Sequence, residues 1–213
     1  MNAYPAAYPA AYPAAHWHLS AQPRIKPPPP RQRSLFHRLI LWMSRRKVQS
    51  KTNLVVIEDL LHMGILCPLY LNWMSELLFK GRIPRADKER IVLRTVWRIG
   101  CLYEWTHHVH LARKAGVPDA DIAALGSEHI DYFPPRQRCL VLAVDELLAR
   151  RALSEATFTD LRKHLSEDEC VEFLMLSGHY QMISMLINAC GIPVEKEFAL
   201  GRLPALPAQG EAR

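Results

Sequence analysis

Acidic residues are missing from the first quarter of this 213-residue chain: before Glu58 there are nine Lys or Arg and no Asp or Glu. The formal net charge of +6 therefore belongs to one end. The remainder holds 18 basic against 21 acidic residues, and so mildly acidic a body offers no electrostatic case for binding nucleic acid. Paired cysteines are lacking too. Cys67, Cys101, Cys139, Cys170 and Cys190 form no CxxC pair and no zinc-knuckle spacing, which removes a structural zinc site and a disulfide framework from consideration. Four of them sit in apolar runs such as GILCPLYL, where a free thiol acts as a small hydrophobe. That usage fits a reducing compartment, and a cytoplasmic protein is expected. No uninterrupted apolar run approaches the roughly 20 residues needed to cross a bilayer. The first residues lack the charged-then-apolar pattern of a secretory signal. Strand signals are nearly absent, so the expectation is an all-α fold.

Composition divides the chain. In residues 1–33, positions 2–15 repeat Ala-Tyr-Pro-Ala and PPPP follows at 27–30, which denies amide donors and forbids a sustained helix. They are expected to form a disordered arm, either a dispensable tail (Met43 being an alternative start) or a polyproline-type recruitment segment. Residues 34–52 contain SLFHRLILWMSRRK, a basic apolar helix or linker. It suits docking onto the main domain or a partner subunit better than lying on an anionic membrane, because its polar face is poorly developed. Residues 53–195 read as a single helical domain, with breaks at Gly64, Gly81, Gly100, Gly116 and the Pro-Pro step at 134–135. Ser154 is placed as a helix cap, and Ser166 with Glu169 as a capping box. Residues 196–213, rich in Pro, Ala and Gly, are expected to be a flexible tail.

The densest chemistry lies between Pro84 and Gly116, two predicted helices meeting near Gly100. Cys101, Glu104, Trp105 and His108 follow at spacings of three, one and three, within roughly 100° of arc on one helix face. His107 and His110 are expected to point elsewhere. Glu89, on the preceding helix, stands twelve residues before Cys101.

This segment resembles the carboxymuconolactone decarboxylase family, which includes the alkylhydroperoxidase D-like proteins. The family's peroxidase branch has a Glu, eleven residues, Cys-x-x-Cys, three residues and a His. Glu89, Cys101 and His108 match three of those places, and HLARKAG matches the flank. Glu104 replaces the second Cys. A carboxylate four residues before the His is similar to the decarboxylase branch and to a related Tyr-Glu-Trp-x-x-His group, which YEWTHH matches. The resemblance extends through AVDELLARRALSEATFTDL and LMLSGHYQMISMLINACGIPVE, over about residues 54 to 195. It implies an all-helical protein assembled as a trimer or hexamer and acting on a small molecule.

Chemically, His108 with Glu104 one turn before it forms a base and its orienter, while Glu89 passes or holds a proton. Such a trio works on a carbonyl or lactone compound without metal or organic cofactor. The bland alternative is an ordinary i,i+4 contact. Cys101 reads as a buried hydrophobe or, alternatively, as the lone thiol of a peroxidase. Glu104 and His108, completed by Glu89 or His179, are also compatible with a metal site. Trp105, His179 and Tyr180 are expected to line the pocket. A non-catalytic oligomeric scaffold is the remaining class.

Overall fold

The computed structural model describes residues 17–20, 22–48, 50–128 and 130–198. Nine α-helices and no strand occur among them: α1 (Leu35–Val48), α2 (Val55–Leu60), α3 (Leu66–Phe79), α4 (Arg85–Ile99), α5 (Leu102–Lys114), α6 (Asp119–Leu125), α7 (Pro135–Arg150), α8 (Glu155–Arg162) and α9 (Glu167–Cys190). The expected all-α class is what the chain adopts.

Helix α4 is the axis of the bundle, packing against α3, α5, α6, α7 and α9. Ile91, Val92, Leu93 and Val96 are buried along it. A helix enclosed on nearly every side is ordinarily apolar all round. This one also buries Asp87, Lys88, Glu89 and Arg94. Each has a charged partner on another element or along α4, since an unpaired buried charge costs several kcal/mol. Arg94 grips Asp145 of α7 through two hydrogen bonds of 2.7 and 2.6 Å and also donates to the carbonyls of Leu125 and Ser127. Lys88 pairs with Glu172 of α9 at 2.5 Å and donates to the carbonyl of Leu77, near the end of α3. Asp87 accepts from Arg90 and Arg136.

The junction of α4 and α5 fixes the site. Gly100 has φ 72°, the left-handed conformation that glycine adopts without a Cβ penalty. The Gly100 and Cys101 amides donate back to the carbonyls of Trp97 and Val96, closing α4. Cys101 then becomes the N-cap of α5, so the chain reverses within two residues. The Ser154 cap and the Ser166/Glu169 capping box form as expected. Helix α9 is long and apolar enough to cross a membrane by length and composition, but half of that stretch is buried in the bundle, as in a core helix.

Two expectations change at the ends. The arm was expected to be disordered through residue 33, yet its second half lies on the domain. Trp17 is buried with its ring 5.9 Å from that of Trp105. The His18 amide donates to the Gly100 carbonyl, and Arg24 donates to the carbonyls of Cys190 and Ala189. Apolar cover for Trp105 and unused carbonyls at two helix ends give this proline-rich segment something to bind. Residues 1–16 lie outside the described residues. At the other end, Lys196–Phe198 forms a 3-10 turn rather than loose tail. Glu197 accepts from the Ser50 and Thr52 hydroxyls at 2.5 Å each. Residues 199–213 are outside the description. Residues 34–52 contain the expected helix, α1, which packs on α2. Ile40 and Leu41 are buried there, while Leu35, Phe36, Leu39, Trp42 and Met43 are exposed.

Candidate active site

Four side chains meet between α4 and α5. Burial tends to strip the proton from His108, but the charge of Glu89 and the hydrogen bonds that Glu104 and Glu89 accept outweigh it, and the imidazole is pushed up to about 9. Its Nδ1–H donates to Glu89 Oε2 at 2.7 Å, while Nε2 faces Glu104 Oε2 at 3.4 Å. The other oxygen of Glu89 is met by the Arg85 guanidinium, one turn earlier on α4. Arg85, Glu89, His108 and Glu104 therefore form a chain of alternating sign that is neutral overall.

The sequence reading made Glu104 the orienter and Glu89 the proton relay. The geometry gives the orienting contact to Glu89 instead. Glu89 is fully buried and holds Nδ1, fixing the ring's orientation. Glu104 stands at the looser, cavity-facing nitrogen, in the first turn of α5, where a helix N-terminus favours a carboxylate.

Nε2 and Glu104 face a cavity of about 110 Å³ bounded by α2, α3, α5, α9 and the Lys196–Phe198 turn. Glu104, His108, His179 and Tyr180 line its chemical end, and Ile57, Leu78 and Ile183 are among its apolar walls. Volumes of this order take up a single small ring; an apolar cavity of ~150 Å³ binds benzene. The Tyr180 ring stands edge-on to His108, with centroids 4.7 Å apart. Burial, then the charges of Glu104 and Glu89, push the Tyr180 phenol well up, so it stays protonated.

The other members of the helical stripe are not brought to this cavity. Trp105 was expected as a pocket wall, but its indole packs behind the site on Trp17. Cys101 is fully buried beneath the helix start and does not line the cavity. Burial, with the Glu104 charge second, pushes its thiol up to about 12, despite hydrogen bonds to the backbone of Glu104 and Tyr103 that act the other way. A residue at a helix N-cap does not continue the helical arc, and the four-residue face divides for that reason. All five cysteines are free. Among the described residues, no three His, Cys, Asp or Glu side chains are placed to hold a metal ion.

His107 and His110, expected to point away, line the same cavity farther along α5. They do so because residues 195–198 fold over them. His107 Nε2–H donates to Glu195 Oε2 at 2.8 Å, and Tyr103 donates to the other oxygen at 2.7 Å. The Phe198 ring rests on His107 with centroids 4.3 Å apart. Glu195, Phe198 and Arg85 are functional neighbours that helix periodicity missed. The doubled histidine of YEWTHH and the carboxylate of IPVE were the available signals, but nothing in the spacing links them.

Residues 69–146 match the sequence profile of the Carboxymuconolactone decarboxylase family. No curated protein matches the chain. Among solved structures, the alkylhydroperoxidase AhpD core from Ralstonia eutropha JMP134, an uncharacterized peroxidase-related protein, is similar with a TM-score of 0.72 and 20% identity, over 86% of this chain and 98% of that one. An uncharacterized peroxidase-related protein from Silicibacter sp. TM1040 reaches 0.75 at 13% identity, over 87% and 98%. The debrominase Bmp8 in complex with 2,3,4-tribromopyrrole reaches 0.69 at 14%, over 84% and 95%. At these identities the structural likeness speaks for the fold, which is the alkylhydroperoxidase D-like one.

Proposed function

We propose, in keeping with the match of residues 69–146 to the carboxymuconolactone decarboxylase family, that the protein is an enzyme that transfers a proton to carbon on a small carbonyl or lactone compound, decarboxylation being the leading case. The observation that carries this reading is the wiring of His108: Nδ1 is held by buried Glu89, and the protonated Nε2 is turned to a small, mostly apolar cavity beside Glu104. In the decarboxylation, the bond between carbon and the substrate carboxylate breaks and carbon dioxide leaves. The electron pair stays on carbon, delocalised into the neighbouring carbonyl as an enolate. His108 Nε2–H gives that carbon its proton, and the neutral imidazole recovers one from water. Glu89 stabilises the imidazolium throughout. Arg85 offsets the charge of Glu89, so the alternating chain presents no net negative charge to an incoming carboxylate.

The thiol-peroxidase alternative has less support. It needs a thiolate at Cys101, where burial and Glu104 both favour the thiol, and Glu104 occupies the place of a resolving thiol. Assembly as a trimer or hexamer is part of the proposal. It is supported by exposed apolar side chains on α3 (Leu66, Leu69) and α9 (Val171, Met182, Met185). The five free cysteines support a cytoplasmic setting.

The test supplies carboxymuconolactone and follows carbon dioxide release and deuterium uptake at carbon from D₂O. His108→Gln is expected to lose at least about a thousandfold in kcat with the helical circular dichroism intact. Cys101→Ser is expected to stay within a few-fold of wild type. An inactive Cys101→Ser enzyme, together with peroxide-dependent sulfenic acid at Cys101, reverses the assignment.

A further inference from the structure

His179 has no role in the proton transfer just described, and its surroundings are costly for a histidine. It is 96% buried on α9, and neither ring nitrogen has a hydrogen-bond partner. A neutral imidazole always carries one N–H, so a buried donor is left unmet. A leucine would fill the same space among aromatic rings without that penalty. The rings are those of Tyr70 at 5.6 Å, Trp73 at 5.1 Å and Tyr180 at 4.9 Å between centroids. Tyr180 in turn stands against His108, and His179, Tyr180, Glu104 and His108 line one cavity. The Tyr70 hydroxyl is likewise buried and without a partner.

We propose that His179 is the substrate's oxygen-binding residue: its unpartnered N–H donates to a carbonyl oxygen and holds the ligand between α9 and His108. The inference rests on the proton-transfer reading and specifies how the ligand sits in that site. A neutral donor suits a carbonyl that becomes an enolate. It can strengthen its hydrogen bond as negative charge grows on oxygen, without surrendering a proton. Burial, reinforced by His108 and opposed by Glu104, lowers the imidazole to about 4, so the ring is neutral across the physiological range. Two of the cavity's histidines thus divide the labour. His108 is charged and supplies the proton, while His179 is uncharged and supplies the grip. The ligand class that follows is a small ring bearing a carbonyl on one edge, its flat apolar faces meeting the cavity walls.

Binding tests this without turnover. The full chain, with ¹⁵N-labelled histidine, is titrated at pH 7 with cyclohex-2-enone and with cyclohexene, a ring of similar size lacking the oxygen. The enone is expected to bind about tenfold more tightly and to move the ring ¹⁵N resonances of His179. His179→Leu should bring the enone down to the affinity of the hydrocarbon, and His179→Gln, which keeps a donor, should restore part of the preference. Equal affinities in the wild type, or a preference that survives in His179→Leu, overturn the proposal. Should His179→Leu fail to fold, the wild-type resonances decide: an enone that leaves them unmoved also overturns it. A protein that keeps the preference but transfers no proton refutes the reading of His108 and leaves this one standing; an active enzyme without the preference does the reverse.

Discussion

Glu89 carries more of the chemistry than its distance in sequence from His108 implies. Without its charge, burial would be opposed by Glu104 alone, and the imidazole would give up its proton more readily. Glu89→Gln keeps the volume and an acceptor oxygen but removes the charge. We expect the His108 titration, followed by its ring ¹⁵N shifts, to fall below about 9. The alkaline limb of the activity profile should move down in pH with it. A His108 that still titrates near 9 in this variant would mean that Glu104 alone holds the charge. Glu104 and His108 were legible as neighbours because a helix turns a spacing of four into a face. The division of roles was not, because whether Glu89 or Glu104 takes Nδ1 depends on how α4 crosses α5. Trp105 was misplaced for a related reason: its partner, Trp17, lies in a stretch whose composition promised disorder.

Helix α4 shows how an element can be buried and charged together. Its hydrophobic positions were readable from periodicity, and its ends from Pro84 and Gly100. The ion pairs that let Arg94 and Lys88 go inside were not, since Asp145 and Glu172 come from helices 51 and 84 residues downstream. These pairs are exacting rather than strongly stabilising. Removing one partner leaves a charge with neither water nor counter-ion. Arg94→Ala should therefore lower unfolding free energy in urea by about 3–5 kcal/mol. Arg94→Met combined with Asp145→Leu should recover much of that loss, leaving Arg98 with Glu128. If the double variant is as unstable as the single one, the hydrogen bonds from Arg94 to the carbonyls of Leu125 and Ser127 matter more than the ion pair.

On the scale of the whole molecule, exposed apolar side chains on two helices support the proposed assembly. Leu69 on α3 and Met185 on α9 are each more than half exposed, alongside Leu66, Val171 and Met182. Light scattering should give three or six times 24.4 kDa, and Leu69→Glu with Met185→Glu should reduce it to the single-chain mass with helical content unchanged. A wild-type particle of 24.4 kDa would remove the proposed assembly. The fold class was legible because missing strand signals and regular glycine breaks leave little else. The reach of the domain was not. Both of its borders are set by long-range contacts, Trp17 on Trp105 and Glu197 on Ser50 and Thr52 among them, that composition does not announce.

The paired indoles have an optical consequence. Trp17 and Trp105 lie 5.9 Å apart at a tilt of 48°, close enough for their electronic transitions to couple. Coupled transitions of this kind give circular dichroism a signed pair of bands that an isolated ring lacks. The signal would belong to the arm's grip on the domain and not to the bundle as a whole. It would vanish when the arm lifts, while the helical bands persist. The molecule thus carries its own gauge of whether the back of the active site is covered.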